Sequence, residues 1–187
     1  MIIRFAGFGG QGIVKSSLIM GQSAVYDGKN AIQNQSYGSE SRGGECRGDV
    51  IISDDDIYEL EPVHNDVLVA MTQPAYDKFV PLLRPGGTLI YDKDLVIIDD
   101  KLHPEGIHKY GIDATDIAHK QFGRKIVANM VLLGYMNTLL KIVPVSALEM
   151  AVAENVPKGT DQLNLNAMRK GIELAERESK TGTEAAG

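Results

Sequence analysis

The chain has 187 residues, 43% hydrophobic and 24% charged, with a formal net charge of −6. That length and apolar fraction suffice for one globular domain with a full core, while the acidic balance argues against a general nucleic-acid binder, which needs a basic surface to displace counterions. No run approaches the roughly 20 apolar residues of a membrane span, and the sequence opens on a strand pattern with no basic leader, so the expected location is the cytoplasm.

Ile2-Ile3-Arg4-Phe5-Ala6 predicts a first strand that runs into Gly7-Phe8-Gly9-Gly10-Gln11-Gly12. Ile13, Val14, Ser17, Leu18, Met20, Gly21, Ala24 and Val25 follow at helical spacing, with Gly28 as the C-cap. A short strand is expected at Ala31-Ile32-Gln33, then a polar, turn-rich loop from Gln35 to Gly44. Arg47 to Ser53 reads as a strand closed by Asp54-Asp55-Asp56, and Asp66 to Met71 as a buried parallel strand. Gln73-Pro74 starts a helix with proline at its first position. Ala75, Phe79, Val80, Leu82 and Leu83 face the core, and Arg84-Pro85-Gly86-Gly87 is the stop. Further strands are predicted at Thr88 to Tyr91, Leu95 to Ile98 and near Ile107 to Tyr110. Helices follow at Asp113 to Phe122 and Ile126 to Leu140, the second apolar nearly all round and hence buried. Ser146 with Glu149 forms a capping box for a helix to about Asn155. Thr160 or Asp161 opens a last amphipathic helix carrying Leu163, Leu165, Met168, Ile172 and Leu174. The expected fold is Rossmann-like α/β, doubly wound, with a mainly parallel sheet and C-terminal helices. It is a single domain over residues 1–179 with a flexible tail at 180–187.

The G-x-G-G-x-G turn carries the chemistry. Glycines between a strand and a helix let backbone N–H groups approach a phosphate without Cβ interference, and the helix dipole favours the negative charge. A dinucleotide site also places a carboxylate at the end of the second strand for the ribose, but here that strand ends in Gln33-Asn34-Gln35, and Asp27 precedes Gly28 at the helix end. A P-loop is excluded because no G-K-[ST] follows and Lys15-Ser16 lies inside the helix. A freestanding NAD(P) protein or a ligand-binding scaffold stays open as an alternative. The Ser36 to Gly44 loop should emerge beside the glycine turn, at the carboxyl ends of the first two strands. There Arg42 supplies a permanently charged donor fork, with Ser36, Tyr37, Ser39, Ser41 and the Gly43-Gly44 backbone as further donors.

Other reactive residues read as structural. Cys46 stands alone, which excludes an intramolecular disulfide and an iron–sulfur cluster within this chain, and no neighbouring histidine lowers its pKa. His64, His103, His108 and His119 show neither metal-ligand spacing nor an acid partner. Asp54-Asp55-Asp56 lacks glycine-punctuated ligand spacing and reads as a solvated turn. The Met130, Leu133, Met136 and Leu140 stripe is core.

Gly7 to Gly12 and the Gln35-Ser36-Tyr37-Gly38-Ser39-Glu40-Ser41-Arg42-Gly43-Gly44 loop, followed by the strand ending Val50-Ile51-Ile52-Ser53, resemble the gamma subunit of the 2-oxoacid:ferredoxin oxidoreductases. The resemblance extends to Thr72-Gln73-Pro74-Ala75-Tyr76 and Asn129-Met130-Val131-Leu132-Leu133-Gly134, and the Gln33 to Ser53 region is most similar to 2-oxoglutarate-type members. It implies oxidative decarboxylation of a 2-oxoacid with coenzyme A (CoA), giving acyl-CoA, carbon dioxide and reduced ferredoxin. Thiamine diphosphate, magnesium and iron–sulfur clusters would reside on partners: catalytic alpha and beta subunits and a ferredoxin-like subunit. No catalytic or metal residue is then expected here, and the chain alone would be inactive. The site implied for this chain is a shared CoA pocket, with Gly9, Gly10, Gln11 and Gly12 as donors and Ser41 and Arg42 facing a phosphate.

Overall fold

The computed structural model of the chain describes residues 1–37 and 45–184. Its strands are β1 (Ile2–Phe8), β2 (Asn30–Tyr37), β3 (Glu45–Ser53), β4 (Asn65–Ala70), β5 (Leu83–Asp92) and β6 (His108–Ile112). Its helices are α1 (Ile13–Tyr26), α2 (Gln73–Phe79), α3 (Ala114–Phe122), α4 (Ala128–Leu140), α5 (Val145–Asn155) and α6 (Asp161–Glu184). The strands form one sheet in the order β2-β3-β1-β4-β5-β6. β1, β4, β5 and β6 are parallel, in line with the mainly parallel sheet the sequence predicts, whereas β3 is antiparallel to both β1 and β2. Two reversals leave β2 pointing the same way as β1. Tyr37 pairs with Cys46, and Cys46 with Gly7, so the chain leaves β2 and enters β3 level with the glycine turn, as the sequence predicts.

Four local expectations are corrected. Gln35, Ser36 and Tyr37 are not loop: their backbones pair with Gly48, Arg47 and Cys46, which an edge strand permits however polar its side chains. Leu95 to Ile98 is not a strand. The backbones of Leu95 and Val96 turn back onto the Asp92 carbonyl, and Ile97 is held by the Gln73 side chain instead of a strand partner. Leu83 belongs to β5, opposite Asn65, after a 3-10 turn over Val80–Leu82. Ser146 caps nothing: α5 begins after Pro144 without a side-chain cap, and Glu149 instead pairs with Arg169 of α6 at 2.7 Å. The last helix continues to Glu184, past position 179.

Alternation along the strands divides the apolar residues between two faces. Ile3, Phe5, Val67, Val69 and Ile90 join α1, α3, α4, α5 and α6 in one large core, and the expected stripe is there, with Met130, Leu133 and Met136 buried and Leu140 half-buried. Ala6, Leu68, Ala70 and Leu89 form a smaller core under α2. α4 is the central helix, apolar nearly all round, and α6 crosses it backbone to backbone at Gly134 and Gly171.

That crossing also buries Tyr135, whose hydroxyl donates to Glu178 of α6. Burial, and then the Glu178 carboxylate, push its phenol above the ordinary value. An acid whose folded pKa is raised keeps its proton folded but loses it unfolded, so stability is complete below about pH 10 and drains away above it. Tyr135→Phe should cost about 1–2 kcal/mol near neutrality and flatten the alkaline loss. Thermal midpoints recorded between about pH 8 and 11 check this, and parallel curves for the two proteins would contradict it.

Candidate functional site

The chain runs outward in opposite directions from β1 and β4, which makes the carboxyl ends of these neighbours the crevice of the sheet. Both ends are tied together there. Met71 N–H donates to the Ala6 carbonyl at 2.9 Å, and the Gln11 amide bridges them, its Oε1 accepting from Phe8 N–H at 2.7 Å and its Nε2 donating to the Met71 carbonyl at 3.2 Å. The predicted donor Gln11 is thus partly committed to shaping the turn.

Gly10 and Gly12 have φ of 96° and 77°, and Gly12 serves as the N-cap of α1 in the left-handed region that strains any other residue. Gly12 also has a neighbour that sequence reasoning missed. Asn129, buried at the start of α4, donates from Nδ2 to the Gly12 carbonyl at 3.2 Å and to Ser16 Oγ at 3.1 Å. A Cβ on Gly12 would lie 2.3 Å from that nitrogen. The clue in the sequence is an amide opening a mostly apolar helix, because a buried amide requires partners.

The turn offers donors without using them up. Among the described residues, Gln11 N–H bonds to the Phe8 carbonyl at 3.2 Å, while the N–H groups of Gly9, Gly10 and Gly12 meet no acceptor. The first turn of α1 holds no acidic residue, so the positive end of its dipole is not neutralised. Hollows lie on either side, both bounded by the half-exposed Ile126. One, of about 170 Å³, is lined by Gly12, Lys15, Arg124, Asn129, Pro157 and Thr160, among others. The other, of about 340 Å³, is lined by Gly10, Gln11, Met71, Leu95, Thr115 and Lys125, among others.

Lys15, Arg124 and Lys125 take part in no ion pair among the described residues. On a chain of net charge −6, three cations around one helix N-terminus, unpaired among the described residues, make a local positive site. Arg124 and Lys125 were not foreseen, because they sit in a turn with no motif of its own and reach the glycine turn only through the fold.

Of the predicted site residues, the structure brings Gly9, Gly10, Gln11 and Gly12 together at this edge, and Ser41 and Arg42 lie outside the described residues. The residues bounding that segment, Tyr37 and Glu45, are level with Gly7 and Phe8 through the β3 register. The end of β2 presents no carboxylate to the crevice: Gln33 Nε2 donates to Ser17 Oγ at 3.0 Å.

The remaining candidates are structural. Cys46 is buried, which pushes its thiol up and keeps it a poor nucleophile. Asp92, fully buried at the end of β5, accepts from Thr115 N–H and Oγ1 and from Asp94 N–H, so it caps α3. Burial raises its pKa against those donors. His103 does find an acid in space, Asp100 at 2.9 Å. Lys109, and then His103, hold the Asp100 carboxyl down at about 2. Among the described residues, no helix is long and apolar enough to cross a membrane.

The family model for pyruvate ferredoxin/flavodoxin oxidoreductase matches residues 2–174. The chain is 43% identical over 174 residues to the 2-oxoglutarate synthase subunit KorC of Methanocaldococcus jannaschii, covering 92% of each. Among solved structures it is similar to the gamma subunit of a keto/oxoacid ferredoxin oxidoreductase from Geobacter sulfurreducens, with TM-score 0.80, 42% identity and coverage of 94% of this chain and 98% of that one. It also resembles part of a 2-oxoglutarate:ferredoxin oxidoreductase from Magnetococcus marinus determined with 2-oxoglutarate, coenzyme A and succinyl-CoA bound. There the TM-score is 0.84 at 27% identity, with 95% of this chain matching 31% of the longer one. A family model that matches residues 2–174, together with relatives 42–43% identical over nearly the whole length, places the chain in the pyruvate ferredoxin/flavodoxin oxidoreductase family.

Proposed function

We propose that this chain is the gamma subunit of a heteromeric 2-oxoglutarate:ferredoxin oxidoreductase and forms the phosphate-holding edge of its CoA pocket. The observation that carries this reading is the open N-terminus of α1, where backbone N–H groups that meet no acceptor among the described residues stand between two hollows rimmed by Lys15, Arg124 and Lys125. CoA carries a diphosphate and a 3′-phosphate on an otherwise uncharged chain. Backbone donors and a helix dipole suit the diphosphate, and side-chain cations suit the remaining charge. Arg42 and Ser41 add a second set of donors from the β2–β3 segment. The family likeness adds the setting: a 2-oxoacid is decarboxylated on catalytic alpha and beta subunits that carry thiamine diphosphate and magnesium. Electrons leave through clusters on a ferredoxin-like subunit to ferredoxin, and the acyl group passes to CoA in the cytoplasm.

Steady-state kinetics of the assembled enzyme test the role of this chain. Gly12→Ala combines a left-handed backbone with a clash against Asn129, and Arg42→Ala removes a charged donor fork. Each should raise the Michaelis constant for CoA by about tenfold or more while leaving 2-oxoacid-dependent decarboxylation largely intact. Unchanged CoA dependence in both variants would sink the proposal.

A further inference from the structure

The connection between β3 and β4 lies at the edge of the sheet opposite the glycine turn, since Ile51 pairs with Ile2 and Ser53 with Asn30. Its sequence, Asp54-Asp55-Asp56-Ile57-Tyr58-Glu59-Leu60-Glu61-Pro62-Val63, contains five carboxylates and no lysine or arginine. None of the five is in an ion pair among the described residues. Against a chain total of −6, this stretch alone carries five negative charges.

Between the acids stand three large apolar side chains. Tyr58 is 87% exposed, Leu60 58% and Val63 64%. Their backbone is nevertheless held. Arg4 of β1, only 1% exposed, donates from Nη2 to the Pro62 carbonyl at 2.9 Å and from Nη1 to the Val63 carbonyl at 3.2 Å. Asn34 of β2 donates to the Leu60 carbonyl, and Pro62 is itself buried. A buried guanidinium is costly to desolvate, and here it fixes Val63 beside the buried Pro62, while Asn34 holds Leu60 on the other side. A fixed apolar surface loses little conformational entropy on binding, which separates a preformed contact site from a stray exposed leucine.

An aromatic and aliphatic centre inside a charged rim is the anatomy of a protein interface. The charge selects the occupant. A second copy of this chain would set five carboxylates against five, so self-association through this face is opposed. We propose that residues 54–63 dock onto a companion catalytic subunit whose matching surface is basic at its rim and apolar at its centre, an inference that rests on the heteromeric reading above. Because this surface and the glycine turn occupy opposite edges of the sheet, docking here leaves the CoA edge open.

The test uses the native complex, reconstituted from wild-type partners and variant chains, with the dissociation constant read by sedimentation at low and high salt. Tyr58→Asp/Leu60→Asp and, separately, Asp54→Lys/Asp56→Lys/Glu59→Lys should each weaken assembly by about tenfold or more. Association of the wild-type chain should weaken as salt rises, and the lysine set should lose that dependence. All five positions are exposed, so melting curves of the isolated variants should match the wild type. Assembly of both variant sets at wild-type affinity overturns the docking site while leaving the heteromeric reading intact. A wild-type chain that joins no thiamine- and cluster-bearing partner overturns both. Self-association of the wild-type chain that these variants abolish overturns the choice of occupant.

Discussion

Gly171→Ala is expected to lower the unfolding free energy of the chain by about 3 kcal/mol or more, with Gly134→Ala close behind. Two effects oppose each other. Alanine is a better helix former than glycine by about 1 kcal/mol, so intrinsic propensity predicts that both variants gain stability. The crossing of α4 and α6 predicts the reverse. A Cβ at position 171 would lie 1.9 Å from the Val131 carbonyl oxygen and 2.7 Å from Tyr135 N, and one at 134 would lie 2.1 Å from the Met168 carbonyl oxygen. These neighbours are helix backbone, so no side chain can swing aside. α4 is buried against the sheet on its other side, and therefore α6 must lift, partly exposing Ala167, Met168 and Ala175, all now fully buried. Against a typical total of about 5–15 kcal/mol, that loss should be plain in the urea midpoint of the isolated chain. A midpoint at or above wild type would mean that the helices can separate at little cost and that propensity decides.

What the sequence made legible follows from how local each signal is. The buried strands β1, β4 and β5 announce themselves as apolar runs, α4 as a helix apolar all round, and the Gly7 to Gly12 turn as a break between periods of two and 3.6. The direction of β3 does not, because an alternating run reads the same either way along a sheet. The apolar run Leu95 to Ile98 is not a strand for a related reason: hydrophobicity without a strand partner does not make a strand. Here the amide of Gln73, 24 residues away in sequence, takes the backbone of Ile97. The Ser146 and Glu149 pair has the spacing of a capping box, yet Glu149 finds a stronger partner in Arg169 across a helix interface. In the site, the glycine turn was legible and its support was not. Asn129 meets Gly12 across 117 residues, and Arg124 and Lys125 come alongside only because α4 starts at the same edge where β1 ends.

Arg4→Met should be the most damaging change on the other side of the sheet, costing about 3 kcal/mol. Arg4 and Asp49 are 1% and 3% exposed and 2.8 Å apart, and the same guanidinium lies 5.2 Å from the centre of the Phe79 ring. Methionine keeps much of the volume and removes the charge, leaving a buried carboxylate whose remaining cation is the half-exposed Arg47 at 3.3 Å. That residual partner is why the cost should sit at the lower end of the 3–5 kcal/mol typical of breaking a buried pair. The double variant Arg4→Met/Asp49→Leu should recover a large part of the loss, because an apolar pair of similar size leaves no orphaned charge. It should not restore the loop. The carbonyls of Pro62 and Val63 lose their donor in both variants, so amide exchange across Tyr58 to Val63 should quicken in both, while that of the Gly9 to Gly12 turn stays as in the wild type. Such a split would assign Arg4 two separable tasks: neutralising Asp49 within the sheet and presenting the acidic, apolar loop at its edge. If the double variant restored both stability and slow exchange, the loop would be held by Pro62 packing and Asn34 alone, and the buried guanidinium would serve the core rather than the surface.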